Sequence, residues 1–396
     1  MNHTIESIDF WYKLVSNYKD IEENDKEHMV ELLQQELPTL SSLIMERTCN
    51  LSCSHCVFQN EKSSRKISQD CDLESRILTI ASQLPINSSV IHEGRVIRDW
   101  HIPILAKIKE IRPDLALGLI DNGTYVNIRD KFQTNTLSLD WLDISIDGDA
   151  NTHNKQRRNN KAYATAIEGL RQARSYVNKS GRVTSLFTGT KINYANVYEA
   201  ALPLMEEKLV DEFHVTPAGP TFRDENLVMD ESEWGIFWEI FCKAHALGFK
   251  HDIPVFIRFY NHEDIRKLAH VVGYDAFRAA FTNWNDLRVS RGSISFVING
   301  IRILYVPISI CPTETFVIDV DGVYRLAYCV KFTLEELQKK RKDDKDLSAY
   351  SVALIQKGDR YSELYGIGAK QWWEAFGKNF LQNEKELFNN IIFERR

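Results

Sequence analysis

Three cysteines fall within eight positions, in the run Cys49-Asn-Leu-Ser-Cys53-Ser-His-Cys56. Thiolates are the ligands of iron–sulfur clusters, and three on one short loop can hold three irons of a cubane while the fourth stays open. An open coordination position suits a reactive metal site, whereas a structural site closes its own shell. Two plainer readings stand beside this one. His55 could join the cysteines around a structural zinc ion, although its place between two ligands would strain the loop. The thiols could also be ordinary core residues, but Asn50, Ser52, Ser54 and His55 make the segment polar for a core run.

The pattern Cys-Asn-Leu-x-Cys-x-His-Cys is similar to the signature of the radical S-adenosylmethionine (radical SAM) superfamily, particularly members with a C-terminal SPASM or twitch extension. The resemblance covers about residues 40–220 well and 300–330 weakly. It implies a 4Fe-4S cluster whose open iron, beside Cys49, Cys53 and Cys56, chelates the methionyl amine and carboxylate of S-adenosyl-L-methionine. An electron from the cluster then breaks the C5′–S bond, and the 5′-deoxyadenosyl radical takes a hydrogen atom from the substrate.

Further motifs carry the same resemblance. Ile91-His92-Glu93-Gly94 stands where the family has Gly-Gly-Glu-Pro. The acid is kept, so Glu93 is expected to face the methionyl ammonium, while both glycines and the proline are replaced. Ile120-Asp121-Asn122-Gly123-Thr124 resembles the family's Thr-Asn-Gly-Thr turn. Asn122 either contacts the cofactor or serves a tight turn, which Asn-Gly supports by tolerating positive φ. Asp143-Ile144-Ser145-Ile146-Asp147-Gly148, with His153 and Arg157, is similar to Ser-x-Asp-Gly…His-x-x-x-Arg. Alternation puts Ser145 and Asp147 on one side of a strand, suited to lining the cofactor site. The planar fork of Arg157 suits a carboxylate, with Arg158 adjacent as the competing choice.

Cys311, Gly322 and Cys329 resemble the first half of a SPASM or twitch domain. No cysteine follows Cys329, and two thiolates do not complete a four-thiolate cluster, so an auxiliary cluster is not expected. A degenerate domain covering the substrate pocket is the expectation, with Cys329 or Tyr328 as candidate hydrogen-atom donors. Cys71 and Cys242 fall in helical patterns and read as buried small hydrophobes.

The elements that must position these groups are legible as a rhythm. Candidate strands at Leu43–Arg47, Ser89–Glu93, Leu115–Ile120, Trp141–Asp147, Val183–Gly189 and Glu212–Pro217 alternate with helical patterns near Leu73–Leu84, Ile97–Ile111, Ala162–Val177 and Val197–Leu209. That alternation predicts right-handed β/α units and a parallel sheet, with functional groups at the carboxyl ends of the strands. The fold class is therefore α/β: a partial (β/α)6 TIM-like barrel at 40–225, preceded by an N-terminal helical segment at 1–39. A smaller α+β region at 226–396 completes the chain, covering the substrate. It opens on a helix at Glu231–Leu247 and continues through short strands at 255–260, 294–298, 301–306, 316–320 and 323–328. Asn299-Gly300 and Asp321-Gly322 are hairpin signals.

The bulk numbers narrow the class. A formal charge of −6 over 396 residues offers no strong basic field for a nucleic acid backbone, and the longest apolar runs fall short of the roughly 20 residues needed to span a bilayer. With seven cysteines, three of them clustered, a cytoplasmic protein is expected. The resemblance implies a reductant such as flavodoxin or ferredoxin. It points to a ribosomally made peptide undergoing crosslinking or epimerisation as substrate. The alternatives are radical chemistry on a small metabolite, such as a sugar or nucleoside, and a noncatalytic cluster- or zinc-binding protein.

Overall fold

The computed structural model describes residues 40–44, 49–56, 74–75, 77–78, 81–82, 89–92, 97–123, 137–218, 225–259, 262–282, 288–290, 293–305, 315–319, 324–326 and 331–332. The helical segment expected at 1–39 and the residues Glu93, Cys71, Cys311, Tyr328 and Cys329 lie outside them. The described residues form two compact units, one within 41–82 and 86–258 and the other taking in Leu40 and the described residues from 259 onward.

The first unit is built on a sheet in the order β1 (Leu40–Ile44), β2 (Ser89–His92), β3 (Ala116–Asp121), β4 (Leu139–Ser145), β5 (Val177–Gly189), β6 (Glu212–Pro217) and β7 (Val255–Phe259). Each pairing from β2 to β7 is parallel. Among the described residues the connecting helices include α1 (His101–Ile111), α2 (Ala150–Arg157), α3 (Ala162–Ala173), α4 (Val197–Glu206) and α5 (Glu231–His251). This is the expected α/β partial barrel. The parallel sheet gains one strand beyond the expected six, because α5 acts as another crossover and returns the chain to β7 beside β6.

The two faces of the sheet differ in chemistry. Leu142, Ile144, Phe213, Val215 and Ile257 have no solvent exposure, and Val183 and Phe187 have 1% each. These residues alternate along their strands, so they share the outer face, where α3 packs on β4 and β5 and α4 packs on β5. The intervening residues Trp141, Asp143, Ser145, Thr216, His214, Phe256 and Arg258 are half-buried and line the inner face.

Element ends follow local causes. α3 stops at Ala173 rather than near Val177, because Ser175 and Tyr176 donate their N–H groups to the carbonyls of Gln172 and Ala173 in tight turns. α4 stops at Glu206, and Lys208 (φ 51°) takes the left-handed conformation that closes a helix. α5 begins with a capping box in which Asp230 accepts from Glu233 N–H at 3.0 Å, while the Glu233 carboxylate accepts from Asp230 N–H at 2.9 Å.

The second unit contains α6 (His262–Val272), α7 (Tyr274–Thr282), β8 (Arg288–Ser290), β9 (Ser293–Ile298), β10 (Ile301–Tyr305), β11 (Thr315–Asp319), β12 (Tyr324–Leu326) and β13 (Lys331–Phe332). β8, β9 and β10 form an antiparallel meander, and β11, β12 and β13 form another. Ile298 pairs with Ile301 across Asn299 (φ 52°) and Gly300 (φ 80°), the two-residue hairpin anticipated from the Asn-Gly pair. The turn at Asp321-Gly322 lies outside the described residues, although β11 and β12 do pair antiparallel. Among the described residues no helix is long and apolar enough to cross a membrane.

Candidate radical site at the strand ends

The cysteine loop comes after β1 and is tied down by a distant helix. Ser54 donates twice to the carbonyl of Gln156, from its N–H at 2.9 Å and its hydroxyl at 3.1 Å. Cys56 N–H donates to the Cys53 carbonyl at 3.2 Å, closing a turn between two of the thiols. Cys49 is exposed, Cys56 half-buried and Cys53 buried, and all three are free thiols.

α2 supplies the anchor and the nearest positive charge. Asp149 caps it by accepting from Thr152 N–H at 2.8 Å, and Arg158 (φ 52°) ends it in the left-handed region. The spacing brings His153, Gln156 and Arg157 to one buried face and leaves Arg158 exposed. Arg157 Nε donates to Asp147 Oδ2 at 2.6 Å, and its Nη1 lies 3.7 Å from Cys53 Sγ. Asp147 has no solvent exposure. Burial pushes its carboxyl up, but Arg157, His55, His153 and the Thr188 N–H outweigh that and hold it down at about 2. Thr188 N–H donates to Asp147 Oδ1 at 3.0 Å, and Asp147 N–H donates to His153 Nδ1 at 3.0 Å. The Arg157 guanidinium is shifted upward: burial opposes its charge, and Asp147 and Cys53 favour it more.

Burial pushes the Cys53 thiol up to about 11, with Arg157 pulling it back and Cys56, Asp147 and Cys49 adding to the rise. The mutual electrostatic influence of the three cysteines reflects their proximity. Among the described residues no three His, Cys, Asp or Glu side chains converge on one metal ion. A cubane asks for a different arrangement, since each thiolate takes its own iron and the sulfurs stand apart. Thiols are the donor type that iron–sulfur clusters take, so Cys49, Cys53 and Cys56 are of the right chemistry for one. His55, between two of them, is buried and its Nδ1 has no hydrogen-bond partner; burial lowers its pKa to about 4.

The β3 turn meets the same loop. Asn122 Nδ2 donates to Asn50 Oδ1 at 2.9 Å and lies 3.8 Å from Cys49 Sγ. Gly123 has φ 85°, and a Cβ there would sit 2.5 Å from Ala166 Cα of α3. The turn thus serves backbone geometry while carrying its asparagine to the cysteine loop. Ser145, Asp147, Asn122, Arg157 and the three cysteines all belong to this carboxyl-end region. Ser145 and Asp147 are not equivalent, because β4 ends at Ser145, which is half-buried, while Asp147 is sealed within the ion pair. Gln156, Thr188, Thr190 and Asn193 form a supporting network missed in the sequence: Thr190 Oγ1 donates to Gln156 Oε1 at 2.7 Å, and Asn193 Nδ2 donates to the Asp147 carbonyl at 3.0 Å.

Below the strand ends, the inner face carries a second polar group. Asp143 pairs in register with Thr184, and Thr184 with Glu212; Ser145 pairs with Leu186, Leu186 with His214, and His214 with Phe256. Glu212 Oε1 accepts from Arg182 Nη1 at 2.9 Å, and Glu212 Oε2 lies 3.0 Å from His214 Nε2. Burial raises the Asp143 carboxyl to about 7, against the pull of Arg258, the Thr184 hydrogen bond and Arg182 and with a push from Glu212. The His214 imidazole is lowered by burial, with Glu212 pulling it upward. The signal for this group was present in the sequence as Glu212-Phe-His214-Val-Thr216, a polar residue at every second position of a strand.

No protein-family model matches the chain. Among curated proteins, the Fe-coproporphyrin III synthase of Methanosarcina barkeri (strain Fusaro / DSM 804) is 25% identical over 224 residues, 53% of this chain and 53% of that protein. The chain thus spans about half the length of that relative. Among solved structures, native anSMEcpe with bound AdoMet and Cp18Cys peptide is similar at a TM-score of 0.51 and 16% identity, covering 89% of this chain and 100% of that one. Streptococcus suis SuiB bound to precursor peptide SuiA is similar at a TM-score of 0.50 and 10% identity, covering 81% and 69%. At these identities the likeness is one of fold.

Proposed function

We propose that this chain, which has the fold of radical SAM enzymes, is itself a radical SAM enzyme acting on a ribosomally made peptide. The observation that carries the reading is the cysteine loop seated at the carboxyl ends of the strands, with Arg157 set against Cys53. When bound, the cluster supplies the electron that cleaves S-adenosylmethionine, generating the radical that takes a substrate hydrogen atom.

The chain's own residues do the holding. Cys49, Cys53 and Cys56 ligate the cluster, and the guanidinium of Arg157 favours the thiolate of Cys53. Asp147 fixes the Arg157 side chain through its Nε, leaving the rest of the fork facing the loop. Asn122 braces the Cys49 end. Ser145, half-buried on the inner face, is suited to a ribose hydroxyl, and Glu93 to the methionyl amine. Tyr328 and Cys329 are the candidates for returning a hydrogen atom to a substrate radical. The peptide reading is supported by solved relatives of this fold that hold Cp18Cys peptide and SuiA. A flavodoxin or ferredoxin as reductant and a cytoplasmic setting agree with three free, clustered thiols. A small-molecule substrate is the second reading, favoured by sequence likeness to a protein named for Fe-coproporphyrin III.

Anaerobic reconstitution tests the core of this. The expected outcome is about four irons per chain and 5′-deoxyadenosine on reduction with S-adenosylmethionine. Cys53→Ala should lose both the cluster absorbance and turnover. Zinc without iron, and no 5′-deoxyadenosine, would overturn the reading. Deuterated peptide that leaves no label in 5′-deoxyadenosine, beside a labelled metabolite that does, would move the assignment to the second reading.

A further inference from the structure

The interior of an α/β barrel is ordinarily filled by branched apolar side chains stacked in layers. Here the inner face of β4 to β7 sets Asp143, Thr184, Glu212, His214, Thr216 and Arg258 among Trp141, Leu186 and Phe256, while the outer face is mostly apolar. Polar groups at six inner positions on four strands, all but Thr184 half-buried, are costly to seal from water unless something polar meets them.

Within this group, Asp143 keeps acceptor capacity beyond the contact described for it. Glu212 is engaged through both oxygens, by Arg182 and by His214. Asp143 has Thr184 as its hydrogen-bond partner, and a carboxylate offers about four acceptor sites. Its raised pKa has burial as the first cause, as expected of a carboxyl that Arg258 and Arg182 compensate only in part. Asp143 stands two residues before Ser145, about 6.6 Å down the same strand at about 3.3 Å per residue. A residue with its backbone at the level of Ser145 therefore reaches Asp143 and His214 with a side chain of ordinary length.

Resting on the radical reading above, we propose that Asp143 and His214 are specificity-determining residues. They take a side chain of the substrate peptide that donates hydrogen bonds, as an amine or carboxamide does, and refuse an aliphatic one. Asp143 is the acceptor for the donated N–H. The Glu212–His214 pair supplies the second contact, and Thr184 holds the acceptor in place. An aliphatic side chain would strip these groups of water and return nothing, the discrimination that a site built for hydrogen bonding achieves.

The test uses three probes, acetyl-Gly-Lys-Gly-amide, acetyl-Gly-Asn-Gly-amide and acetyl-Gly-Leu-Gly-amide, with the reconstituted full-length protein and saturation-transfer NMR. The expected result is binding of the lysine or asparagine peptide at least about tenfold tighter than the leucine peptide. Asp143→Leu should erase or invert that preference. Thr184→Val, nearly isosteric, should weaken it and covers the case in which Asp143→Leu fails to fold. Leucine-peptide binding as tight as the others, a preference untouched in both variants, or no binding of any probe at millimolar concentration would overturn the inference. The two readings fail separately. Absent 5′-deoxyadenosine with the binding preference intact sinks the radical chemistry and leaves the polar lumen standing, whereas intact 5′-deoxyadenosine without a preference sinks only the inference.

Discussion

At the scale of single residues, the ion pair between Arg157 and Asp147 is the most consequential contact in the first unit. Its carboxylate is fully buried and its guanidinium nearly so. Replacing one partner leaves the other charge enclosed without compensation, which costs about 3–5 kcal/mol, whereas replacing both with apolar residues of similar volume is close to neutral. Arg157→Leu should therefore lower the urea midpoint strongly, and adding Asp147→Leu should recover much of the loss. A double variant as unstable as the single one would contradict this account. Part of this was legible in the chain itself. The cysteine triplet stood out through residue type and spacing alone. Arg157 and Asp147 stood out as polar residues of a recognisable stretch, but their mutual pairing is tertiary, since ten positions separate them and α2 must turn back on β4 before they meet. Burial also decides between Arg157 and Arg158, and burial follows from the turn that ends α2.

At the scale of elements, strand positions were read within a few residues except at β5, which begins at Val177, six residues before the expected Val183, and the parallel order followed from alternation with helices. β7 was harder, because α5 is long and the stretch around residues 219–224 interrupts the rhythm, so the strand after it read as part of the C-terminal α+β region. The inner-face polar group escaped for a related reason: side-chain facing is fixed only once register is known. Gly118 makes the point in another way. It pairs with Trp141, and a Cβ on it would lie 1.8 Å from the indole. The glycine leaves the space that the indole of the neighbouring strand occupies. Gly118→Ala should displace the indole at a cost of about 1–3 kcal/mol, read as a shift in tryptophan fluorescence together with a lower melting temperature. An unchanged emission spectrum would show that the ring has room to spare.

At the scale of the whole molecule, buried histidines set the response to acid. His92 has no solvent exposure, neither of its ring nitrogens has a hydrogen-bond partner among the described residues, and burial lowers its pKa to about 3. Burial likewise lowers His153 to about 3 and His55 to about 4. Below pH ~6.5 the unfolded chain binds protons at these positions and the folded chain does not, so stability falls as pH falls. Each imidazole contributes about 1.4 kcal/mol per pH unit until its folded value is reached, and Asp143, raised to about 7, offsets about one such share between pH ~7 and ~4 because there the folded chain binds the extra proton. Asp147 acts lower down: its folded pKa is depressed, so its contribution is intact above pH ~4 and fades toward pH 2. Denaturant titrations at pH 7, 6 and 5 should show the decline, and His92→Phe should lessen it by about one group's share. A stability flat from pH 7 to 5 would mean that these rings are not buried neutral.

The anchoring of Ser54 on Gln156 bears on how the protein is made. The contact spans 102 positions, and that of Cys53 with Arg157 spans 104. Chains emerge from the ribosome N-terminus first, so the three thiols leave the exit tunnel long before the helix that seats them. Throughout that interval the nascent chain carries free thiols with no scaffold beneath them, so on the radical reading proposed above delivery of inorganic iron and sulfide would follow translation of α2 rather than accompany synthesis of the loop.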